Sequence, residues 1–273
     1  MTDQHAVAVK VAAVYNAASD SYTAPPLGFW DRFGDETVRR IGLHRGARVL
    51  DLCCGAGASA LAAARIIGPS GHVLAVDVSD RLLGMAAARA AEQELNNIQF
   101  LHADATATGL PSESFDAVVC VFGVFFAADR RGFVAEMWRH LVPGGVLAVT
   151  TWGPQLFEPG NTLFWQEVER RRPDLTHAFN PWDDLVTTEA LHGLLRSAGI
   201  SDAEVTAEPG QHPLVSPDDF WDVVLGSGYR ATVDALTAEQ RDAARDAVLG
   251  ELRRRNVLAI TTNVVYSRAT RAT

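Results

Sequence analysis

The chain has 273 residues, of which 24 are Lys or Arg and 33 are Asp or Glu, so its formal net charge is −9. This balance argues against a nucleic-acid partner, because binding to phosphates depends on a basic face. The apolar run from Ala117 to Ala128 is too short to cross a membrane as a helix, and the N-terminus lacks the layout of a secretion signal. Because Cys53, Cys54 and Cys120 cannot form a disulfide framework, we expect a soluble, cytoplasmic protein without a membrane partner.

The first part of the chain, residues 1–40, is predicted to be a helical cap. Val7, Val11 and Val14 recur at helical spacing and indicate an amphipathic helix. Aromatic side chains lie in or after this helix: Tyr15, Tyr22, Phe29 and Trp30. Packing of the cap onto the rest of the protein explains each of these aromatics as well as contact with a ligand does.

From Arg48 onward, β-branched runs alternate with segments of helical period, which is typical of an α/β fold with a parallel sheet. Five strands are predicted: Arg48–Cys53, Val73–Val78, Ile98–Ala103, Phe115–Phe122 and Gly145–Trp152. Three helices are predicted between them: Ser59–Ile67, a helix from Ser79 to Leu95, and one with Phe133, Met137 and Trp138 on its core face. Residues 41–152 are therefore the predicted core, and Pro143-Gly144-Gly145 leads into its fifth strand.

The second half of the chain changes character after Trp152. Residues 153–187 contain Gly, Pro and several aromatics with little clear period, which favours a lid or a substrate-binding insertion. His177 in this lid is the candidate catalytic base, although a solvated lid histidine is the simpler explanation. Residues 188–273 are predicted to complete the core. Their predicted elements are a helix near Thr188–Ala198, a strand near Glu204–Ala207, a helix opened by a Thr237–Gln240 capping box and a last strand at Asn263–Ser267.

The segment Val49–Ala60, VLDLCCGAGASA, reads as a strand, a Gly-x-Gly turn and the start of a helix. Gly55 and Gly57 allow a sharp turn and let a ligand lie against the backbone. Asp77, at the end of the second strand, can accept both hydroxyls of a ribose. Taken alone, this pattern is a weak signal that also suits a nicotinamide or flavin dinucleotide.

Two further acids distinguish between these ligands. Asp51, at the mouth of the first strand, would repel a pyrophosphate but attract an ammonium group. Asp104 ends the third strand, where it can reach the exocyclic amine of an adenine. Three acids at three strand ends match a cationic ligand with a ribose diol and an adenine, so we predict S-adenosylmethionine as the cofactor. A nicotinamide oxidoreductase is disfavoured.

Five segments in chain order resemble the successive motifs of class I S-adenosylmethionine-dependent methyltransferases, in particular the ubiquinone/menaquinone C-methyltransferase-like group. These segments are Val49–Ala60, Ala75–Ser79, His102–Ala105, Phe115–Val118 and Leu141–Gly145. The resemblance implies a Rossmann-like, doubly wound, seven-stranded sheet with an antiparallel last strand. It also implies an N-terminal segment that folds over the cofactor.

The resemblance also implies roles for single residues. The methionine part of the cofactor is expected near Asp51, Gly55 and Phe122, and the adenine between Val78 and Ala105. The full set of predicted cofactor-binding residues is Asp51, Cys54, Gly55, Gly57, Asp77, Val78, Leu82, Asp104, Ala105, Phe122 and Tyr22. The predicted substrate-binding residues are Tyr15, Trp30, Phe126 and Trp152. Leu82 stands where the quinone enzymes commonly have Met, which weakens any claim to their substrate.

The expected reaction is methyl transfer to a small, mostly apolar organic acceptor, either quinone-like or a secondary metabolite, because the cap and lid are rich in aromatics. Two alternatives stay open: a methyltransferase fold that catalyses a cyclisation or rearrangement, and a non-catalytic partner protein. We expect no metal site, since no His or second Cys pair stands at ligand spacing from Cys53 and Cys54. A homodimer is left open.

Overall fold

The computed structural model describes residues 4–176 and 180–273, in which helices and strands alternate along the chain. The helices are α1 (Gln4–Ala18), α2 (Phe29–Ile41), α3 (Ala58–Ile67), α4 (Asp80–Glu92), α5 (Arg130–His140), α6 (Gly160–Arg171), α7 (Thr188–Ser197), α8 (Asp219–Leu225), α9 (Arg230–Asp234) and α10 (Ala238–Arg254). The strands are β1 (Arg48–Leu52), β2 (His72–Asp77), β3 (Ile98–His102), β4 (Phe115–Val121), β5 (Leu141–Trp152), β6 (Glu204–Glu208), β7 (Gln211–Pro213), β8 (Ala259–Thr261) and β9 (Val264–Thr270).

The central sheet has seven strands in the order β3-β2-β1-β4-β5-β9-β6. Strands β1 to β5 pair in parallel, and β9 runs antiparallel to both β5 and β6. Side chains of β1 alternate between two core clusters, with Val49 in one and Leu50 in the other. Since both faces of the sheet are covered by helices, the predicted Rossmann-like, doubly wound architecture with an antiparallel last strand is confirmed.

Two predicted helix starts are confirmed by their capping hydrogen bonds. The Ser79 side chain accepts a hydrogen bond from the backbone N–H of Leu82 at 3.1 Å. Thr237 and Gln240 form the reciprocal bonds of a capping box at the start of α10. These side chains satisfy backbone donors that have no partner inside the first helical turn.

The predicted start of the fifth strand and the predicted end of α4 were wrong. Strand β5 begins at Leu141 rather than at Gly145 and includes the Pro143-Gly144-Gly145 segment. A register shift between β4 and β5 accommodates this segment, and Gly144 has a φ of 81°, which favours glycine. Helix α4 ends at Glu92, before the predicted Leu95.

No helix was predicted at α6 or α9, and α2 falls almost wholly within the predicted N-terminal cap at residues 1–40. Helix α6 lies inside the 153–187 segment that showed little period, because its buried residues Leu163, Phe164, Trp165 and Val168 cover a broad face of the helix rather than one narrow stripe. It packs against α10, and Gly160 lies so close to Phe220 that an added Cβ would be 2.3 Å from the ring. Helices α6, α8, α9 and α10 together form a layer that we call the helical cap from here on. It is a different part of the molecule from the predicted N-terminal cap at residues 1–40.

The N-terminal helices also cover the site end of the sheet. Helix α1 packs against α4 and α9, and α2 packs closely on α3 at Gly34, where an added Cβ would be 2.7 Å from the backbone of Ala58. Within residues 4–176 and 180–273, we find no helix with the length and apolar character that a membrane span requires.

Candidate functional site

A cavity of about 890 Å³, counting its open mouth, lies between α1 and the carboxyl ends of β1 to β4. We call it the main cavity. Its walls come from the loops after four strands, at Cys53–Gly55, Asp77–Val78, Asp104–Thr106 and Val121–Gly123, and from one face of α1. The topology therefore brings together the strand ends that carry the predicted cofactor residues.

The two glycines of the Gly-x-Gly turn have different roles. Gly55 has a φ of 53° and lines the main cavity, and a Cβ there would be 2.9 Å from the Tyr22 hydroxyl. Gly57 has a φ of 85° and precedes α3, where an added Cβ would be 3.1 Å from Ala86. Gly57 therefore allows α3 to pack on α4, and it does not line the main cavity.

Asp77 is 8% exposed and organises the glycine turn. One carboxylate oxygen accepts a hydrogen bond from the N–H of Gly55 and the other from the N–H of Ser79, both at 2.8 Å. Burial raises the pKa of Asp77, and the backbone hydrogen bonds oppose that rise. Since each oxygen has a further lone pair, the carboxylate can still accept two hydroxyl protons of a ribose.

Asp51 lies behind the wall of the main cavity rather than in it. Its side chain is 1% exposed, and one oxygen accepts a hydrogen bond from the Ser59 hydroxyl at 2.7 Å. The other oxygen has no hydrogen-bond partner among the residues that the structure describes. Burial, with a smaller contribution from the charge of Asp77, raises the pKa of Asp51 to about 7. A cation held in the adjoining cavity would offset the free-energy cost of burying this carboxylate.

Asp104 lines the main cavity and connects the third strand to α1. One carboxylate oxygen accepts hydrogen bonds from the N–H and hydroxyl of Thr106, at 2.9 and 2.8 Å. The other accepts a bond from the Gln4 side-chain amide at 3.1 Å. The Gln4 carbonyl oxygen in turn accepts a bond from the N–H of Ala128 at 2.9 Å, so Gln4 holds the start of α1 over the cavity.

The electrostatics of the main cavity favour a cation. Asp77 and Asp104 line it and Asp51 lies directly behind it, whereas its described lining residues include no Lys, Arg or His. A pyrophosphate would meet carboxylates here without a compensating charge, whereas an ammonium or sulfonium group would be attracted. These residues therefore fit a cationic ligand with a ribose diol, and they do not fit a dinucleotide.

A second, smaller cavity of about 300 Å³, counting the open space at its mouth, adjoins the main cavity, and we call it the aromatic chamber. The two share Tyr15, Trp30 and Phe122, and the Phe122 ring stacks on Trp152 with ring centroids 3.8 Å apart. Burial raises the pKa of Tyr15, so its phenol is neutral at physiological pH. The residues that line the chamber are Tyr15, Trp30, Phe122, Phe125, Trp152, Leu156, Phe157, Trp182, Ser227, Gly228 and Tyr229.

Most predicted site residues meet at these two cavities. Those that line the main cavity are Tyr15, Tyr22, Trp30, Cys54, Gly55, Asp77, Val78, Leu82, Asp104, Ala105, Phe122 and Phe126. Trp152 lines the aromatic chamber instead, and the predicted base His177 lies outside the described residues. Burial raises the pKa of the Cys54 thiol well above its usual value, which fits a small buried residue rather than a nucleophile.

Sequence reasoning missed several lining residues. Gln4 and Thr106 gave no signal, because their roles depend on contacts with Asp104 rather than on a motif. Gly123 follows β4, and a Cβ there would be 2.4 Å from the Cβ of Cys53. A glycine directly after a strand was the available signal for this close approach. Ser227, Gly228 and Tyr229 lie in the helical cap and carried no recognisable pattern.

Comparison with known sequences finds methyltransferases. A family model described as a methyltransferase domain matches residues 49–145. The demethylmenaquinone methyltransferase of Listeria monocytogenes is 35% identical over 134 residues, or 49% of this chain and 54% of that protein. The ubiquinone/menaquinone biosynthesis C-methyltransferase of Cronobacter sakazakii is 32% identical over 155 residues, or 56% of this chain and 61% of that protein. The chain thus spans little more than half the length of these curated relatives.

Comparison with solved structures shows the fold. Phosphoethanolamine N-methyltransferase 2 of Haemonchus contortus, solved in complex with S-adenosyl-L-methionine, has a TM-score of 0.54 and 19% identity to this chain. The match covers 88% of this chain and 52% of the other. The sequence matches confirm the resemblance to methyltransferases that the motifs indicated. The structure matches confirm the fold class.

Proposed function

We propose that this chain, which carries a class I methyltransferase domain at residues 49–145, transfers the methyl group of S-adenosylmethionine to a small, mostly apolar organic acceptor. The observation that carries the proposal is the acidic main cavity, in which Asp77 and Asp104 face one space with Asp51 behind it. A ligand that is cationic and also carries a ribose and an adenine satisfies all three carboxylates.

Each part of the main cavity has a role in binding S-adenosylmethionine under this proposal. Asp77 holds the ribose, Asp104 accepts a hydrogen bond from the adenine amine, and the buried charge of Asp51 attracts the ammonium group. Val78 and Ala105 bound the space for the adenine ring. S-adenosylmethionine supplies an already activated methyl group, so the protein contributes mainly positioning and the exclusion of water.

The acceptor is proposed to lie in the aromatic chamber, next to the main cavity. Tyr15, Trp30 and Phe122 belong to both spaces and mark the boundary that the methyl group would cross. In the transfer, the acceptor atom forms a bond to the methyl carbon, and the sulfur leaves with the electron pair of the broken bond. The aromatic walls favour an apolar ring compound, either quinone-like or from secondary metabolism.

The proposed location is the cytoplasm. Cys53, Cys54 and Cys120 are all free thiols, and Cys53 and Cys54 adjoin the main cavity. A reducing compartment keeps such thiols from oxidation next to the site. The acidic surroundings of the site favour a small-molecule partner over a nucleic acid.

Calorimetric titration with S-adenosylmethionine tests the cofactor assignment. We expect the Asp77→Asn variant to lose at least about tenfold in affinity, because one charged acceptor of the ribose is removed. The matched control is Asp246→Asn at an exposed position, which should bind like the wild type. Equal affinity in wild type and Asp77→Asn would contradict the ribose assignment.

Mass spectrometry of the products tests the reaction itself. Incubation with methyl-labelled S-adenosylmethionine and small-molecule extracts should give a product that carries the label. A rearranged product without the label would instead support the cyclisation alternative, and cofactor binding without any turnover would support a non-catalytic role.

A further inference from the structure

The indole N–H of Trp30 is a buried donor for which residues 4–176 and 180–273 provide no hydrogen-bond partner. Leaving a buried donor unpaired is unfavourable, because the donor has lost its hydrogen bond to water without gaining another. An indole nitrogen can only donate, so its partner must be an acceptor atom. This donor is therefore suited to a group that arrives with a ligand.

Neighbouring rings hold Trp30 in one orientation. Its indole stacks on Tyr22 with centroids 5.3 Å apart and an interplanar angle of 4°. It also packs against Phe122 at 5.8 Å and Trp152 at 5.6 Å. Because a stacked ring and two inclined rings contact the indole, the direction of its N–H is restricted before any ligand binds, which reduces the entropic cost of a hydrogen bond to it.

Trp30 occupies the boundary between the two cavities. It lines both the main cavity and the aromatic chamber. Its stacking partner Tyr22 reaches the glycine turn, since the Tyr22 hydroxyl is 2.9 Å from the place of a Cβ on Gly55. A ligand group bound to Trp30 would thus lie at the end of the chamber that is nearer to the cofactor.

Three hydroxyl groups that line the chamber are less suitable as selective donors. The Tyr229 hydroxyl already donates to the side-chain oxygen of Asn161 at 2.6 Å. The Ser227 hydroxyl donates to the carbonyl oxygen of Val224 in the preceding helix α8, at 3.5 Å. Tyr15 keeps a neutral phenol that can both donate and accept, so it does not discriminate between the two kinds of ligand group.

We propose that the Trp30 N–H binds an oxygen of the methyl acceptor and so selects ring compounds that carry a carbonyl or hydroxyl oxygen near the reacting atom. Trp30 is a specificity-determining residue in this inference, and it takes no part in proton transfer. The inference rests on the proposed function, because it assumes that the acceptor occupies the aromatic chamber.

Equilibrium dialysis with two ring compounds of nearly equal shape tests the proposal. The probes are 2-acetylnaphthalene, which has a carbonyl oxygen, and 2-ethylnaphthalene, which lacks one, each in the presence of saturating S-adenosylhomocysteine. We expect the wild type to bind the ketone about tenfold more tightly, which corresponds to about 1.4 kcal/mol. In Trp30→Phe, which keeps an aromatic ring without the donor, this ratio should fall to about one.

Trp138→Phe is the matched control, since it removes an indole N–H from α5, away from both cavities. It should keep the wild-type ratio. The melting temperatures and near-ultraviolet circular dichroism of all three proteins should agree closely, which shows that Trp30→Phe is folded. An unchanged ratio in Trp30→Phe would overturn the inference. Failure of both naphthalenes to bind would also overturn it without affecting the cofactor assignment, whereas failure of S-adenosylhomocysteine to bind would overturn the proposed function itself.

Discussion

The two cavities of the site differ in chemistry and in how the chain builds them. The main cavity is acidic, and its carboxylates come from the ends of three adjacent parallel strands. The aromatic chamber is apolar, and its walls come from α1, α2, the ends of β4 and β5, and the helical cap. Under the proposed function, charge selects the cofactor, whereas shape and aromatic surface select the acceptor. Variants that affect one cavity and spare the other test this division.

The largest effect on stability is expected from substitution of Asp51, because one oxygen of its buried carboxylate has no hydrogen-bond partner among the described residues. Its folded pKa of about 7 lies above the value of 3.8 for the free side chain, so the folded state binds more protons between about pH 4 and 7. Stability is therefore lost as the pH rises through this window, by up to about 4 kcal/mol at 1.36 kcal/mol per pH unit. Asp51→Asn should remove this loss.

Urea unfolding at pH 5 and pH 8 measures the Asp51 effect. We expect the free energy of unfolding of the wild type to fall relative to that of Asp51→Asn between these pH values. Asp246→Asn, at an exposed position, should follow the wild type. Parallel pH dependences for wild type and Asp51→Asn would contradict an uncompensated charge at this position.

Gly55→Ala should damage the main cavity next most strongly. Its φ of 53° strains any other residue, and the new Cβ would approach the Tyr22 hydroxyl and narrow the cavity. We expect the affinity for S-adenosylmethionine to fall about 100-fold, or about 2.7 kcal/mol. The matched control is Gly109→Ala, which has a φ of 65° but no atom within 4 Å of the new Cβ. Equal losses of affinity in both variants would show that backbone strain, and not the narrowing of the main cavity, weakens binding of S-adenosylmethionine.

Gly160→Ala should affect the aromatic chamber and spare the main cavity. The new Cβ would be 2.3 Å from the buried Phe220 ring and would push α6 away from α8, at a cost of about 1–3 kcal/mol. We expect acceptor turnover to fall while the cofactor Kd stays within about twofold. Gly250→Ala, in α10 with open space at the new Cβ, should leave both unchanged. A parallel loss of cofactor binding in Gly160→Ala would argue that the two cavities are not separable.

The smallest effect is expected from Gln4→Ala. Gln4 joins Asp104 to the backbone of Ala128, so its removal loosens α1 and frees a carboxylate oxygen of Asp104. Stopped-flow measurements should show cofactor association and dissociation both about threefold faster, in line with the net value of one hydrogen bond. Gln99→Ala, at an exposed position of β3, should leave the rates unchanged. Unchanged rates in Gln4→Ala would show that α1 does not limit access to the cavity.

The acidic half of the site was predictable from the sequence because its signals are local. Asp77 is the last residue of β2 and Gly55 lies in the turn after β1, and the parallel arrangement of β1 to β3 places these strand ends at one edge of the sheet. Asp51 was predicted to lie near the methionine part, and in the structure its carboxylate accepts a hydrogen bond from the lining residue Ser59 rather than lining the cavity itself. Alternation along a strand gives the face on which a side chain lies, and it does not give the depth at which the cavity begins.

The sequence by itself determined the fold class, the order of the motifs and the charge of the main cavity. Strand periodicity and the glycine positions of a turn can be recognised from residues that are close together in the chain. Which residues form the aromatic chamber was decided only by the tertiary structure. Trp30, Phe157, Trp182 and Tyr229 lie far apart along the chain and meet because α2 and the helical cap pack over the sheet. Such contacts follow from how complementary surfaces fill space, which no short stretch of sequence encodes.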